Sequence, residues 1–288
     1  MLISLLWNGI KEPGLLSQGA EFSEYSAQYV RDYPILPMLF VTIACGIISG
    51  FHATQAPIIS RTMKSEKEAK SNFYGMMVVE GIIAMIWAGG GLAIYNKFPD
   101  LLNANTTYVL SRITNTFLGS VVGTLTIFAV IVLAITSGDT AMRSLRLSLA
   151  EAIKVPQTQL KNRVVLCIPL MLIITLLLWW SNQDVQSFNY LWNYFSWGNQ
   201  VLAVSTLMAA AVWLMARKKN FLPALVPGMF MSFIVITYIV WISPAHKGPV
   251  GLGLPLYLAY TVAVVVTILM GFLVCRNGKK MQQENQEN

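Results

Sequence analysis

Residues 45–61 read CGIISGFHATQAPIISR, an apolar run interrupted by Ser49, Gly50, His52, Thr54, Gln55 and Pro57 before it meets the positive charge of Arg61. In hydrocarbon an unpaired backbone or side-chain polar group costs several kcal/mol. A polar patch inside a spanning segment therefore persists only where it lines a cavity or faces other helices. Gly50 and Pro57 bracket the patch, and glycine and proline together permit local unwinding of a helix. The stretch reads as a membrane-spanning helix with a break in it.

The rest of the chain agrees with a bilayer as its solvent. Of 288 residues, 55% are hydrophobic and 11% charged, where a soluble domain carries about 25% charged residues. A helix crosses the hydrocarbon in about 20 mostly apolar residues. Seven segments reach about that length, near 35–59, 73–95, 116–138, 164–181, 191–216, 221–243 and 254–275. The expected fold is all-α, a polytopic transmembrane helix bundle of about seven spans.

Orientation follows from the Lys and Arg residues, since loops rich in them stay in the cytoplasm. Of the twenty, fifteen fall on one side of these spans, among them Arg61, Arg143, Lys161, Arg217 and Arg276. The other side carries Lys11, Arg31, Lys97, Arg112 and Lys247. Residues 1–34 are thereby expected outside and the tail 276–288 inside. The net charge of +7 is read as topogenic, because no basic stripe or RNA-binding aromatic motif accompanies it. The opening MLISLLWNGIKEPG lacks the basic region and cleavage motif of a signal peptide. Starting on half an apolar segment, it reads as the interior of a longer protein with preceding spans.

Polar residues inside the spans are the candidates for function. Glu80 is the carboxylate well inside a span, about 10 Å from the cytoplasmic end of its helix by the rise per residue. Intramembrane ionisable groups mark ion and proton pathways, so Glu80 is the candidate proton-coupling group and the expected partner of the interrupted first span; a structural hydrogen bond is the plainer reading. His52, with Thr54 and Gln55, offers three hydrogen-bonding side chains within four residues, more than one packing contact needs. Ser49 and Gly50 complete that side of the substrate path. Asn193, Asn199 and Gln200 form a polar end of the fifth span, Asn193 and Gln200 sharing a face, although interhelical hydrogen bonding would also account for them. Asp139 and Arg143, four apart at the cytoplasmic edge of the third span, suit a helical ion pair and are gate candidates. Met142, Leu145 and Leu149 recur at helical spacing, as in an amphipathic helix on the membrane surface. Gly46 with Gly50, and Gly119 with Gly123, have the spacing of close helix crossings.

The chemistry that is missing narrows the class. Cys45, Cys167 and Cys275 form no CxxC and have no histidine at ligand spacing, so neither disulfide nor metal is expected. The Gly89–Gly91 run is followed by no GK[ST], and no metalloprotease motif, nucleophile elbow or paired carboxylates are visible. The chain is expected to be no enzyme, to need no cofactor, and to bind no nucleic acid.

The runs LFVTIACGIISGFHATQAPIISR (39–61), FYGMMVVEGIIAMIWA (73–88) and YLWNYFSWGNQVLA (190–203) resemble signatures of carbon starvation protein A, a family of bacterial inner-membrane carriers. SGFHATQ at 49–55 is long and unusual, and the likeness runs from EPGLLSQGAEFS (12–23) to the last span. The resemblance implies proton-driven uptake of small organic nutrients, peptides or pyruvate-like carboxylates, in the bacterial inner membrane as part of a carbon starvation response. It also implies a longer protein, of which this chain matches the carboxyl-terminal part. A missing amino-terminal half or a second copy is then an expected partner. The alternative is a truncated, accessory or sensory membrane subunit with no transport activity of its own.

Overall fold

The computed structural model describes residues 1–11, 34–42, 49–98, 101, 106–244 and 248–287. Cys45, Gly46 and most of the segment 1–34 lie outside the described residues. Nine α-helices appear among the described residues: α1 (Leu2–Lys11), α2 (Ile35–Thr42), α3 (Gly50–Thr62), α4 (Met76–Lys97), α5 (Thr106–Ala152), α6 (Leu160–Ser181), α7 (Val185–Ala216), α8 (Leu222–Trp241) and α9 (Leu256–Glu287). A 3₁₀ turn at Glu66–Glu68 and a π-helical turn at Lys70–Gly75 lead into α4. There is no strand among the described residues. Six of these helical stretches are long and apolar enough to cross a membrane. The expected helical transmembrane bundle is what the chain forms.

The chain divides into two units, Met1–Tyr29 with Ile58–Arg163, and Val30–Pro57 with Val164–Asn288. In the second, α7, α8 and α9 pack against one another in antiparallel order. Gly228 of α8 meets Leu207 and Met208 of α7, and Gly271 of α9 meets Met229 of α8. Glycines at these crossings let the backbones approach closely, which matters in lipid, where apolar side chains gain little by leaving the solvent. Met231, Ile234, Tyr238 and Ala259 are fully enclosed. The short α2 lies on this bundle: the Phe40 ring meets Phe230 edge-on at 4.9 Å, and the Tyr260 hydroxyl donates to the Leu36 carbonyl at 2.7 Å.

In the first unit α1 packs on α4 and α5, with Leu5, Ala93, Ile94, Ile113 and Phe117 as a small core. The Ser4 hydroxyl donates to the Phe117 carbonyl. The 47-residue α5 is interrupted at Gly119, whose φ of 74° and ψ of 172° lie outside the helical region. Left-handed φ is open to glycine and costly for other residues. Gly119 therefore serves as a kink. Nothing lies beside Gly119, but a Cβ at Gly123 would meet Asn115 and the Thr114 backbone, eight and nine residues back and before the kink, so the two arms of α5 approach closely at Gly123. Beyond the kink α5 runs on without a break to Ala152. The stretch bearing Met142, Leu145 and Leu149, expected as a separate amphipathic helix, continues the spanning helix, since no proline or non-helical residue separates them.

Candidate functional site

The expected first span, 35–59, is two helices. Leu36, with its non-helical φ and ψ, interrupts α2 near its start; residues 43–48 lie outside the described residues, Ser49 is not helical, and α3 begins at Gly50. Helix termini leave amide and carbonyl groups without intrahelical partners, and inside a membrane these must be met by protein. Two adjacent residues of α7 bond to backbone groups on either side of Ser49. The Asn199 Oδ1 accepts the Phe51 N–H at 2.9 Å, in the first turn of α3. The Gln200 Nε2 donates to the Phe40 carbonyl of α2 at 3.0 Å. One amide side chain thus supplies an acceptor to the amino end of α3, and its neighbour supplies a donor to a carbonyl of α2.

Ser49 completes the cap. Its Oγ also accepts from Phe51 N–H, at 3.2 Å, and receives the Asn199 Nδ2 at 3.3 Å. A serine just before a helix, bonding to its second amide, is a preferred N-cap. Gly50 is required by proximity: a Cβ there would collide with the Asn199 carbonyl oxygen and lie 2.6 Å from Leu202 Cβ. Its role is both the close crossing and the start of the new helix. Ser49, Asn199 and Gln200 are buried, Gln200 to 1% exposure.

The other expected site residues are placed differently. His52, Thr54 and Gln55 follow on α3, each half-buried, and the Thr54 hydroxyl bonds within its own helix to the Phe51 carbonyl at 2.8 Å. Asn193 also turns back on its own helix, donating to the Asn189 carbonyl at 2.8 Å; no hydrogen bond links it to Asn199 or Gln200. Glu80 is half-buried on α4, in the first unit. Asp139 and Arg143 form the expected ion pair at 3.3 Å, with side chains 71% and 55% exposed. Exposed pairs of this spacing contribute about 0.3–0.5 kcal/mol.

Besides Gln200, three hydroxyls of the second unit that the sequence does not single out are left over. Gln200 Oε1 and the hydroxyls of Thr237, Tyr238 and Thr267 are buried without a hydrogen-bond partner. Tyr260 holds α2 from α9, and only the presence of a phenol in an apolar helix could have drawn notice to it. Clefts lie among the described residues of the first unit. One, of about 440 Å³, is walled by Leu2, Leu5, Val78, Ile82 and Met85. The other, of about 450 Å³, is formed by Tyr108, Ser111, Arg112, Asn115 and Thr116; Arg112 there bonds the Tyr108 hydroxyl through Nε at 3.0 Å. Neither holds a residue expected from the sequence to bind substrate. No cluster of three His, Cys, Asp or Glu side chains suited to a metal occurs among the described residues.

Outside the spans, Asp184 caps α7. It accepts the Ser187 backbone N–H at 2.7 Å and the Ser187 hydroxyl at 2.9 Å. These bonds, the backbone one foremost, hold its carboxyl below the ordinary value of 3.8.

Known proteins resemble this chain in parts. An uncharacterized membrane protein of Haemophilus influenzae is 49% identical over 85 residues, 30% of this chain and 23% of that protein. A protein of Helicobacter pylori named peptide transporter CstA is 40% identical over 53 residues, 18% of this chain and 8% of the relative. Over an equal length, a protein of Escherichia coli named pyruvate/proton symporter BtsT is 38% identical, covering 18% of this chain and 7% of the relative. The matched part is thus less than a quarter of each of these three proteins. No solved structure matches. The family profile described as carbon starvation protein CstA matches residues 11–89 and 98–238, which include both sides of the broken helix and the α7 residues that grip it, and the chain belongs to that family.

Proposed function

We propose that this chain is a secondary active transporter, or the carboxyl-terminal part of one, that takes up small organic nutrients across the bacterial cytoplasmic membrane. The observation that carries the reading is the helix break between α2 and α3, held from both ends by Asn199 and Gln200. Discontinuous helices of this kind present amides and carbonyls to substrates and ions near the bilayer midplane of many transporters. The names of the two relatives support peptides or pyruvate-like carboxylates as cargo. Ser49, Gly50, His52, Thr54, Gln55, Asn199 and Gln200 then lie along the substrate path, with Asn193 two turns away on α7. The amino terminus is outside, the tail is cytoplasmic, and the system serves carbon starvation.

Protons supply the drive and Glu80 is the coupling carboxylate. One elementary charge crossing the field gains about 2.3 kcal/mol per 100 mV, enough for a single proton to concentrate a neutral substrate. An anion entering with one proton cancels the electrical gain, and the pH difference then does the work. The test is uptake of labelled pyruvate and of dialanine into proteoliposomes with and without a pH gradient. Glu80→Gln should insert normally and lose gradient-driven accumulation; accumulation at the wild-type level removes Glu80 from the mechanism.

A second reading, an accessory or sensory subunit without transport of its own, is favoured by the wide exposure of α5 and α6, whose most apolar stretches are 6% and 11% buried. These faces would meet lipid, a second copy, or the helices of an amino-terminal half. Uptake by the purified chain alone decides between the two readings.

A further inference from the structure

Helix α9 is longer than the membrane is thick. Its apolar part, residues 256–275, covers about 30 Å at the rise of an α-helix, the thickness of the hydrocarbon. The helix then continues to Glu287, so Arg276, Lys279 and Lys280 are held at helical spacing just past the apolar core. From Arg276 to Lys280 the axis advances about 6 Å, the depth of one headgroup layer.

Two faces of α9 are put to different uses. One packs: Gly271 meets Met229 of α8, and Gly278, seven residues on, meets Met215 in the last turn of α7. The other is bare. Val265, Ile268, Leu269 and Phe272 recur at helical spacing and are each more than half exposed. Arg276, Lys279 and Lys280 continue that stripe, since residues three and four apart share a face, and all three are exposed. Lys280 pairs with Glu284 at 3.8 Å, with side chains 75% and 57% exposed; such a pair is weak and leaves the cation open to a stronger partner. The Gly278 contact sets this part of α9 beside the end of α7, where Arg217, Lys218 and Lys219 follow. They add to the positive field at this end of the second unit.

An apolar stripe that runs into three cations matches the two parts of an anionic lipid. We propose that this face of α9 binds an anionic phospholipid, an acyl chain lying against Val265, Ile268, Leu269 and Phe272 and the phosphate held by Arg276, Lys279 and Lys280. Arg offers paired N–H donors to phosphate oxygens and Lys a mobile point charge, and basic clusters directly beyond a spanning helix attract anionic headgroups. Setting the topology requires only the number of cations on one side; their alignment with the bare apolar stripe is what a lipid requires. The proposal does not depend on whether the chain transports.

The experiment is native mass spectrometry of the purified full chain in detergent, counting bound palmitoyl-oleoyl phosphatidylglycerol and the matching phosphatidylcholine, each offered at equal concentration. A cation near an anionic surface contributes about fivefold in affinity, so the wild type should bind phosphatidylglycerol about tenfold or more tightly. Arg276→Gln, Lys279→Gln and Lys280→Gln together should bring the two lipids to within about threefold of each other. A second variant keeps the net charge but moves it around the helix: Arg276→Asn with Asn277→Arg, Lys279→Asn with Asn285→Lys, and Lys280→Met with Met281→Lys. It should lose the preference too, and it serves if the first variant fails to insert. Full preference in the charge-moved variant overturns the site, because charge alone then suffices. Equal binding of both lipids by the wild type overturns it as well. Displacement of the lipid by an equal concentration of glycerol phosphate would mark a free-anion site and overturn the lipid assignment. So would a dimer that forms in the wild type and is lost in the first variant, since a second copy would then cover this face.

Discussion

Helices α8 and α5 are both apolar enough to span a bilayer, yet 61% of the most apolar stretch of α8 is buried and 6% of that of α5. Hydropathy does not separate them, because in lipid an apolar side chain is equally at home against a neighbour or against an acyl chain. The difference is in how the small residues are used. Gly228 of α8 sits against Leu207 and Met208, and Ser232 turns its hydroxyl to the Gly228 carbonyl at 2.8 Å, leaving a narrow face that a second helix can meet. Gly119 and Gly138 of α5 have nothing beside them, and Gly123 meets the arm of α5 before the Gly119 kink. Glycine spacing alone therefore marks an opportunity for close packing, and the surrounding side chains decide whether it is taken.

The comparison can be broken most forcefully at the closest approach. Gly50→Val pushes a branched side chain into the backbone of α7 at Asn199 and should cost about 3 kcal/mol, the upper part of the range for overpacking. Thermal unfolding in detergent reads the loss, and a neutral result would mean that α3 does not cross α7 where described. Asn199→Leu removes one acceptor of the Phe51 N–H and should cost about 1–3 kcal/mol, with faster hydrogen exchange at the start of α3. Asn193→Leu, six residues earlier on the same helix, should stay within about 0.5 kcal/mol, sharpening the contrast between a gripping amide and a bystander.

On the exposed helix the expectation is reversed. Val121 and Leu125 are 73% and 63% exposed, so Val121→Trp and Leu125→Trp should each move stability by less than about 0.5 kcal/mol. A fall as large as that of Gly50→Val would show that this face is covered in the working protein. The smallest effect concerns pH. With the Asp184 carboxyl held below 3.8, its cap stabilises the fold above that pH and the contribution is lost as pH falls further, through the folded value. Wild type should therefore lose stability below pH 4, and Asp184→Asn should flatten that part of the curve.

Much of the fold was legible because the membrane imposes strict lengths. The apolar runs around 164–181, 221–243 and 254–275 correspond to α6, α8 and the apolar part of α9, and the polar interruption at Ser49 and Gly50 corresponds to a true helix start. Asn199 and Gln200 were visible as polar residues in an apolar helix. Their backbone partners were not, since the amide of Phe51 and the carbonyl of Phe40 leave no trace in residue type. The different parts played by Gly119 and Gly123 were hidden for a similar reason. Spacing puts two glycines on one face only if the helix between them is regular, and Gly119 itself breaks that regularity.

The grip of α7 on both halves of the broken helix has a mechanical consequence. Successive residues of a helix point about 100° apart, so Asn199 and Gln200 reach α3 and α2 in different directions from one post. A translation of α7 carries both halves together, whereas a rotation about its own axis strains one bond while slackening the other. The break is therefore a pair of leaves on a shared pivot, and torque on α7 is the motion to which it is most sensitive.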